Sequence, residues 1–185
     1  MSPPVSGPRS LVVMTVERER TADDGPYSGY APEPERPPFA YYALLTAIFN
    51  AGFAGALLAA GRSGRLPESV APRDVVMVGA ASHRLGRLVS KNKITAFARA
   101  PFTEYQERGG PGEVEETARG TGFQRTVGEL LVCPYCIGLW SSAGFHAGLI
   151  WAPRTTRMVA STFSALAISD FLHLAYKAVE ERGQR

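Results

Sequence analysis

The only two cysteines of this 185-residue chain stand three apart, in Cys133-Pro134-Tyr135-Cys136. A pair at that spacing supports two chemistries. As a dithiol it exchanges two electrons with a disulfide. If the motif opens a helix, proline is favoured at the first helical position, and the helix N-terminus favours the thiolate of the leading cysteine. As two thiolates it supplies half of a zinc or iron–sulfur site, which His173, Asp170 or a second subunit would have to complete. A third reading involves no chemistry: two small, soft residues pack at an interface while Pro134 bends the entry. These three readings stay open at the level of sequence, and no cofactor is assigned.

The tetrapeptide has the letters of the glutaredoxin active site. No βαβ pattern surrounds it, however; Glu129-Leu-Leu-Val132 is too short to argue a strand, and a long apolar run follows. A glutaredoxin fold is therefore not expected. With both cysteines in one motif there is no disulfide framework to read either.

Other ionisable groups fall inside apolar segments, where they are costly and so become functional candidates. Counted at 1.5 Å per residue from the inner helix ends, Cys133, Cys136, Asp170 and His173 lie about 5–9 Å deep, and His83, Arg84 and Arg87 about 4–10 Å deep. This places His83, Arg84, Arg87, Asp170 and His173 in one polar layer, with Asp170 paired to Arg84 or Arg87. The layer either serves chemistry at the cysteines or pins helix to helix. His146 lies further out and reads as a packing residue.

The elements that position these groups are legible from where apolar residues cluster. The chain is 45% hydrophobic with a mean hydropathy near zero, but its apolar residues are concentrated in 39–60 and 127–177. Such segregation marks a membrane protein. The expected fold is all-α: a membrane bundle of four transmembrane helices over about 39–60, 74–90, 129–151 and 156–176. The second is marginal because it carries His83, Arg84 and Arg87. Small residues recur every four positions at Ala43, Ala47, Ala51, Gly55 and Ala59, and again at Ser161, Ala165 and Ser169. Gly144 and Gly148 form a Gly-x-x-x-Gly pair. Faces of this kind let helices approach closely, within the chain, in a homo-oligomer or against a membrane protein partner.

Residues 1–38 read as a disordered, charged and proline-rich segment. There is no signal-peptide pattern, and Met14 is a possible true start. Residues 91–126 form a polar loop whose early part, 94–102, suits an interfacial helix. Residues 178–185 are a charged tail. With four spans, Lys and Arg number 4 in the N-terminal segment, 6 in the 91–126 loop and 3 at the C-terminus, against 3 in loop 61–73 and 2 in turn 152–157. The positive-inside tendency puts loop 91–126 and the C-terminus in the cytoplasm of a bacterial inner membrane. Both stay there if the second helix fails to cross. A net charge of +3 with no basic stripe interleaved with aromatics excludes nucleic acid as a partner and leaves the lipid bilayer.

From about residue 74 to 177 the chain resembles a family of small bacterial multi-pass membrane proteins known as domain of unknown function number thirteen-sixty. The resemblance is carried by Ser82-His-Arg-Leu-Gly-Arg-Leu88 with Lys93-Ile-Thr and Arg99-Ala-Pro-Phe102, by Gly128-Glu-Leu-Leu-Val-Cys-Pro-Tyr-Cys-Ile-Gly-Leu-Trp140, and by Ala167-Ile-Ser-Asp-Phe-Leu172. It implies a bacterial multi-pass membrane protein and no particular activity. The functional expectations are a structural or assembly protein held in register by its polar layer, a membrane thiol–disulfide enzyme acting on a cytoplasmic or lipid-soluble partner, or a metal-binding membrane protein using the C-x-x-C pair.

Overall fold

The computed structural model describes residues 27, 29–32 and 36–184. The chain divides into two units, one ending at Pro37 and one running from Pro38 onward. In the first, the Tyr30 N–H donates to the Tyr27 carbonyl at 3.3 Å, closing a turn. Most of the 1–38 segment expected to be disordered lies outside the described residues.

The second unit is largely helical. Helix α1 is Phe39–Arg62 and α2 is Pro72–Ser90; a 3-10 turn at Lys93–Thr95 leads into the short α3, Ala96–Arg99. Strands β1 (Thr103–Arg108) and β2 (Val114–Ala118) follow, then α4 (Gly122–Val132), α5 (Pro134–Trp151) and α6 (Pro153–Gly183). Helices α1 and α6 each contain a stretch long and apolar enough to cross a membrane; α4 and α5 together make a third candidate, bent by 82°.

Helix α2 is central. It packs against both α5 and α6, and its buried residues, Asp74, Val78, Ala81, Ser82, Gly86 and Ser90, return at three- and four-residue steps along one face. Pro72 opens it, as suits a first helical position. Opposite, α6 offers Ala160, Ser164 and Ala167, and the Ser164 hydroxyl donates to the Met77 carbonyl at 2.7 Å.

Three expectations are corrected. The apolar stretch 129–151 is not one helix. Pro134 lacks an N–H and pushes its predecessor out of the helical region, so Cys133 sits at φ −96°, ψ 103° and the chain turns a corner there. The polar segment 91–126 is not all loop, because β1 and β2 form an antiparallel hairpin pairing Thr103 with Ala118 and Arg108 with Val114. Gly112 at φ +77° allows its tight turn. The small-residue stripes also do not make the internal contacts. Ala43, Ala47, Ala51, Gly55 and Ala59 are exposed, while the half-buried face of α1 carries Tyr42, Leu45, Phe49 and Phe53. Ser161, Ala165 and Ser169 are likewise exposed, one position off the face that packs.

Candidate functional site

Pro134 determines the geometry of the cysteine pair. Because the helix restarts at residue 134, Cys133 becomes its N-cap and Cys136 lies in its first turn. Residues three apart on a helix share a face. The two sulfurs form a disulfide with Cα atoms 5.3 Å apart, and the Cys136 N–H, otherwise without a helical partner, donates to Cys133 Sγ at 3.2 Å. Tyr135 is turned outward and 88% exposed. The corner is held from the other side by α2: a Cβ on Gly86 would stand 2.6 Å from the Pro134 carbonyl oxygen, so only glycine permits this approach.

Beside the disulfide, α4 and the start of α1 supply an acid and a phenol. The Glu129 carboxylate accepts from Arg125 Nε at 2.9 Å on one oxygen and from the Tyr42 hydroxyl on the other. Glu129, Tyr42, Cys133 and Cys136 all line one cavity of about 550 Å³ between α1, α4 and α5. A second cavity of about 300 Å³ continues along α1 and α5 and shares Phe49 and Trp140 with the first. Those two rings meet edge to face with centroids 5.2 Å apart. Beyond them the walls are apolar and small, including Gly52, Ala56, Ala143 and Gly144. Gly144 therefore faces a gap, whereas Gly148 packs so closely on Thr156 that a Cβ would come within 2.6 Å of its hydroxyl oxygen.

The residues assigned to one polar layer are distributed over three contacts. Arg84 meets Asp170 at 3.1 Å across α2 and α6. His83, next to it, stacks on Phe171 with centroids 6.0 Å apart. Arg87 instead turns to the hairpin and grips both Glu113 oxygens, at 2.6 and 2.7 Å. His173 is exposed on α6. His146 bonds through Nδ1 to the Ser142 carbonyl one turn back, at 2.8 Å. Among the described residues no group of three or more His, Cys, Asp and Glu side chains converges to hold a metal, so Cys133, Cys136, Asp170 and His173 are not gathered into one ligand set.

Two ion pairs lay beyond sequence reasoning. Asp74 at the start of α2 accepts from Arg157 Nε and Nη2, at 3.2 and 2.8 Å, at the start of α6. Arg99, 1% exposed, is bonded to Glu116 at 2.6 Å and to the carbonyls of Val89 and Asn92. The clue to Arg99 was its neighbourhood: an arginine just before Ala-Pro-Phe, with glutamates on the strand that returns.

The family described as "Protein of unknown function (DUF1360)" matches residues 77–176, more than half of the chain. The sporulation protein YjcA of Bacillus subtilis (strain 168) is 38% identical over 74 residues, a stretch that covers 38% of this chain and 62% of that protein. The match thus spans less than two thirds of that relative's length. No solved structure matches.

Proposed function

The chain belongs to the DUF1360 family of small multi-pass membrane proteins, and on that footing we propose that it is an inner-membrane thiol–disulfide protein whose Cys133–Cys136 pair cycles between disulfide and dithiol. The observation that carries this reading is the placement of the disulfide as the N-cap of α5 and as part of the wall of a cavity. A helix N-terminus stabilises the thiolate that forms when the bond opens. In the exchange, a partner thiolate attacks one sulfur, a mixed disulfide forms, and the partner's second thiol resolves it. The partner loses two electrons and two protons, and Cys133 and Cys136 leave as the dithiol. Exposed Tyr135 gives such a partner a surface to meet.

The proposed topology has four crossings, with α2 carried across by its neighbours. Support comes from its burial between α5 and α6 and from the Asp74–Arg157 pair joining the same ends of α2 and α6. Arg65 stacks over Trp151, 5.0 Å from the ring centroid, bringing loop 63–71 to that end as well. The hairpin, the cysteine corner and the C-terminus then face the cytoplasm, as the Lys and Arg distribution favours. Ile94 and Phe97, 73% and 80% exposed beside Lys91 and Lys93, suit the headgroup layer on that side. A disulfide in a reducing compartment is usually transient and catalytic, which favours cycling over a permanent bridge.

The test is quantitative thiol labelling. Reduced Cys133 should react with a membrane-impermeant maleimide in inverted vesicles and stay protected in intact cells. The pair should re-form on addition of oxidised glutathione, and Cys133→Ser should abolish exchange. A pair that resists reduction in native membranes, or thiols that do not exchange, would refute the reading.

A second reading, assembly, is favoured by the exposed stripe Ala43, Ala47, Ala51, Gly55 and Ala59 on α1. Its occupant would be a second copy of the chain or a membrane protein partner. Cysteine introduced at Ala51 should then cross-link between copies in membranes of the Cys133→Ser, Cys136→Ser background. Its absence from any cross-linked product would set this reading aside.

A further inference from the structure

We propose that the cleft between α1 and α5 binds a lipophilic quinone, with its ring beside Cys133 and Cys136 and its tail along the two helices, and that the reduced cysteine pair passes two electrons to it. This deepens the thiol–disulfide reading and rests on it.

The shape of the cleft comes first. The cleft consists of two cavities, about 550 and 300 Å³, in succession along α1 and α5, with Phe49 and Trp140 lining both. Its α1 wall runs from Tyr42 to Ala56, about 21 Å at helical rise. The path arises because Gly52 and Ala56 on α1 face Ala143 and Gly144 on α5, and four small side chains do not fill the space between two helix axes. Both volumes together lie in the range of small-molecule sites.

The chemistry along this path is polarised. The disulfide, Glu129 and Tyr42 stand at one end, and beyond the Phe49–Trp140 pair the walls carry no charged side chain. A matching ligand has a compact oxygen-bearing head and a long hydrocarbon tail. A phospholipid shares that outline but carries an anionic phosphate, for which the cavity lining offers no basic side chain. A neutral quinone ring sets no charge against Glu129, and it lies flat against aromatic side chains such as Tyr42, Phe49 and Trp140.

The electron count also agrees. Two S–H bonds break, one S–S bond forms, and two electrons and two protons leave the protein. The quinone's two carbonyls become two hydroxyls, which takes up the same two electrons and two protons. Glu129 and its Tyr42 hydrogen bond line the space through which those protons pass. The partner dithiol of the previous section restores the dithiol at the next turn. The full cycle therefore needs only that dithiol and the quinone.

The experiment uses the whole chain in nanodiscs, reduced, freed of reductant and kept anaerobic, with decylubiquinone and a short-chain menaquinone as probes. Quinone absorbance and free thiols are followed together. One quinone should be reduced per two thiols lost, and Cys133→Ser should abolish the reaction. Glu129→Gln should slow the quinone step at least tenfold and change its pH profile. Ala56→Trp, which fills the tail path, should raise the KM for decylubiquinone at least tenfold. It should leave glutathione exchange, and the reduction of a tail-less benzoquinone, unchanged; Gly52→Leu serves the same purpose if Ala56→Trp does not fold. Glutathione exchange without quinone reduction would overturn this proposal and leave the thiol–disulfide reading standing. Loss of both would overturn both. Equal rates with tailed and tail-less quinones, indifferent to Ala56→Trp, would mean simple surface thiol chemistry and would also refute the site.

Discussion

Arg84 and Asp170 meet at 3.1 Å between α2 and α6, directly beside the stacked rings of His83 and Phe171. Asp170 is half exposed and Arg84 one-fifth exposed in the isolated chain, so the pair contributes about 1 kcal/mol or less in detergent. Asp170→Asn and Arg84→Gln are each expected to lower the melting temperature by about 2–4 °C. The double variant should lose less than the sum of the two. Unchanged melting for both singles would remove the pair from the set of contacts that hold these helices in register.

The Asp74–Arg157 pair is better enclosed at its acidic end and doubly hydrogen-bonded. Asp74→Asn should destabilise more than Asp170→Asn, since Arg157 loses an anionic partner and α2 loses its tie to α6. Exchanging the two residues (Asp74→Arg with Arg157→Asp) should recover part of the loss. The readout is the folded fraction by size exclusion and thermal shift; a charge exchange no better than the worse single variant would show that helix contacts alone fix this end.

Arg99 anchors the hairpin. It and Glu116 are almost wholly buried, and removing one buried partner strands the other charge. Arg99→Ala should cost about 3–5 kcal/mol locally and make residues 103–118 susceptible to limited proteolysis, while the apolar helices stay inserted. Arg99→Lys should recover little, because a lysine cannot reach Glu116 and the Val89 and Asn92 carbonyls together. A hairpin equally resistant to protease in Arg99→Ala would show that strand pairing alone suffices.

Gly86 and Gly79 lie on the same helix, and their environments differ. A methyl at Gly86 collides with the Pro134 carbonyl, while one at Gly79 meets nothing within 4 Å. Gly86→Ala should cost about 1–3 kcal/mol from overpacking and change the alkylation rate of reduced Cys133. Gly79→Ala should be neutral or slightly stabilising, as alanine is the better helix former. Equal behaviour of the two variants would mean that α2 does not press on the cysteine corner.

Much of this architecture was legible before any coordinates. The uncharged run from Phe39 identified α1, and Asp170 required a cation on a neighbouring helix, which Arg84 supplies. The cysteine motif opens a helix, the condition under which its leading thiol is activated. The break at Cys133 was also written in the chain, since a residue before proline avoids the helical region; the long apolar pattern through 129–151 masked it. The hairpin was hidden for a different reason. Thr103–Arg108 carries mostly polar side chains on both faces, so alternation gives no signal, and the pairing depends on the distant anchor at Arg99. The stripe on α1 was legible as a face of small residues, but burial within this chain went to the larger Tyr42, Leu45 and Phe49. Spacing shows that a face exists, not which neighbour uses it.

The 82° bend at Cys133 has a consequence for traffic between phases. With α5 upright across a bilayer, α4 runs within about 8° of the membrane plane, and the sulfur pair stands at the elbow where the two directions meet. One side of the elbow carries the exposed Tyr135, and the other opens on the gap beside α1. In the proposed cycle, reducing equivalents collected from a soluble molecule would be handed to one dissolved in oil without either molecule leaving its own medium. A straight helix through residues 129–151 would have buried the sulfurs on a single flank and given them one medium only.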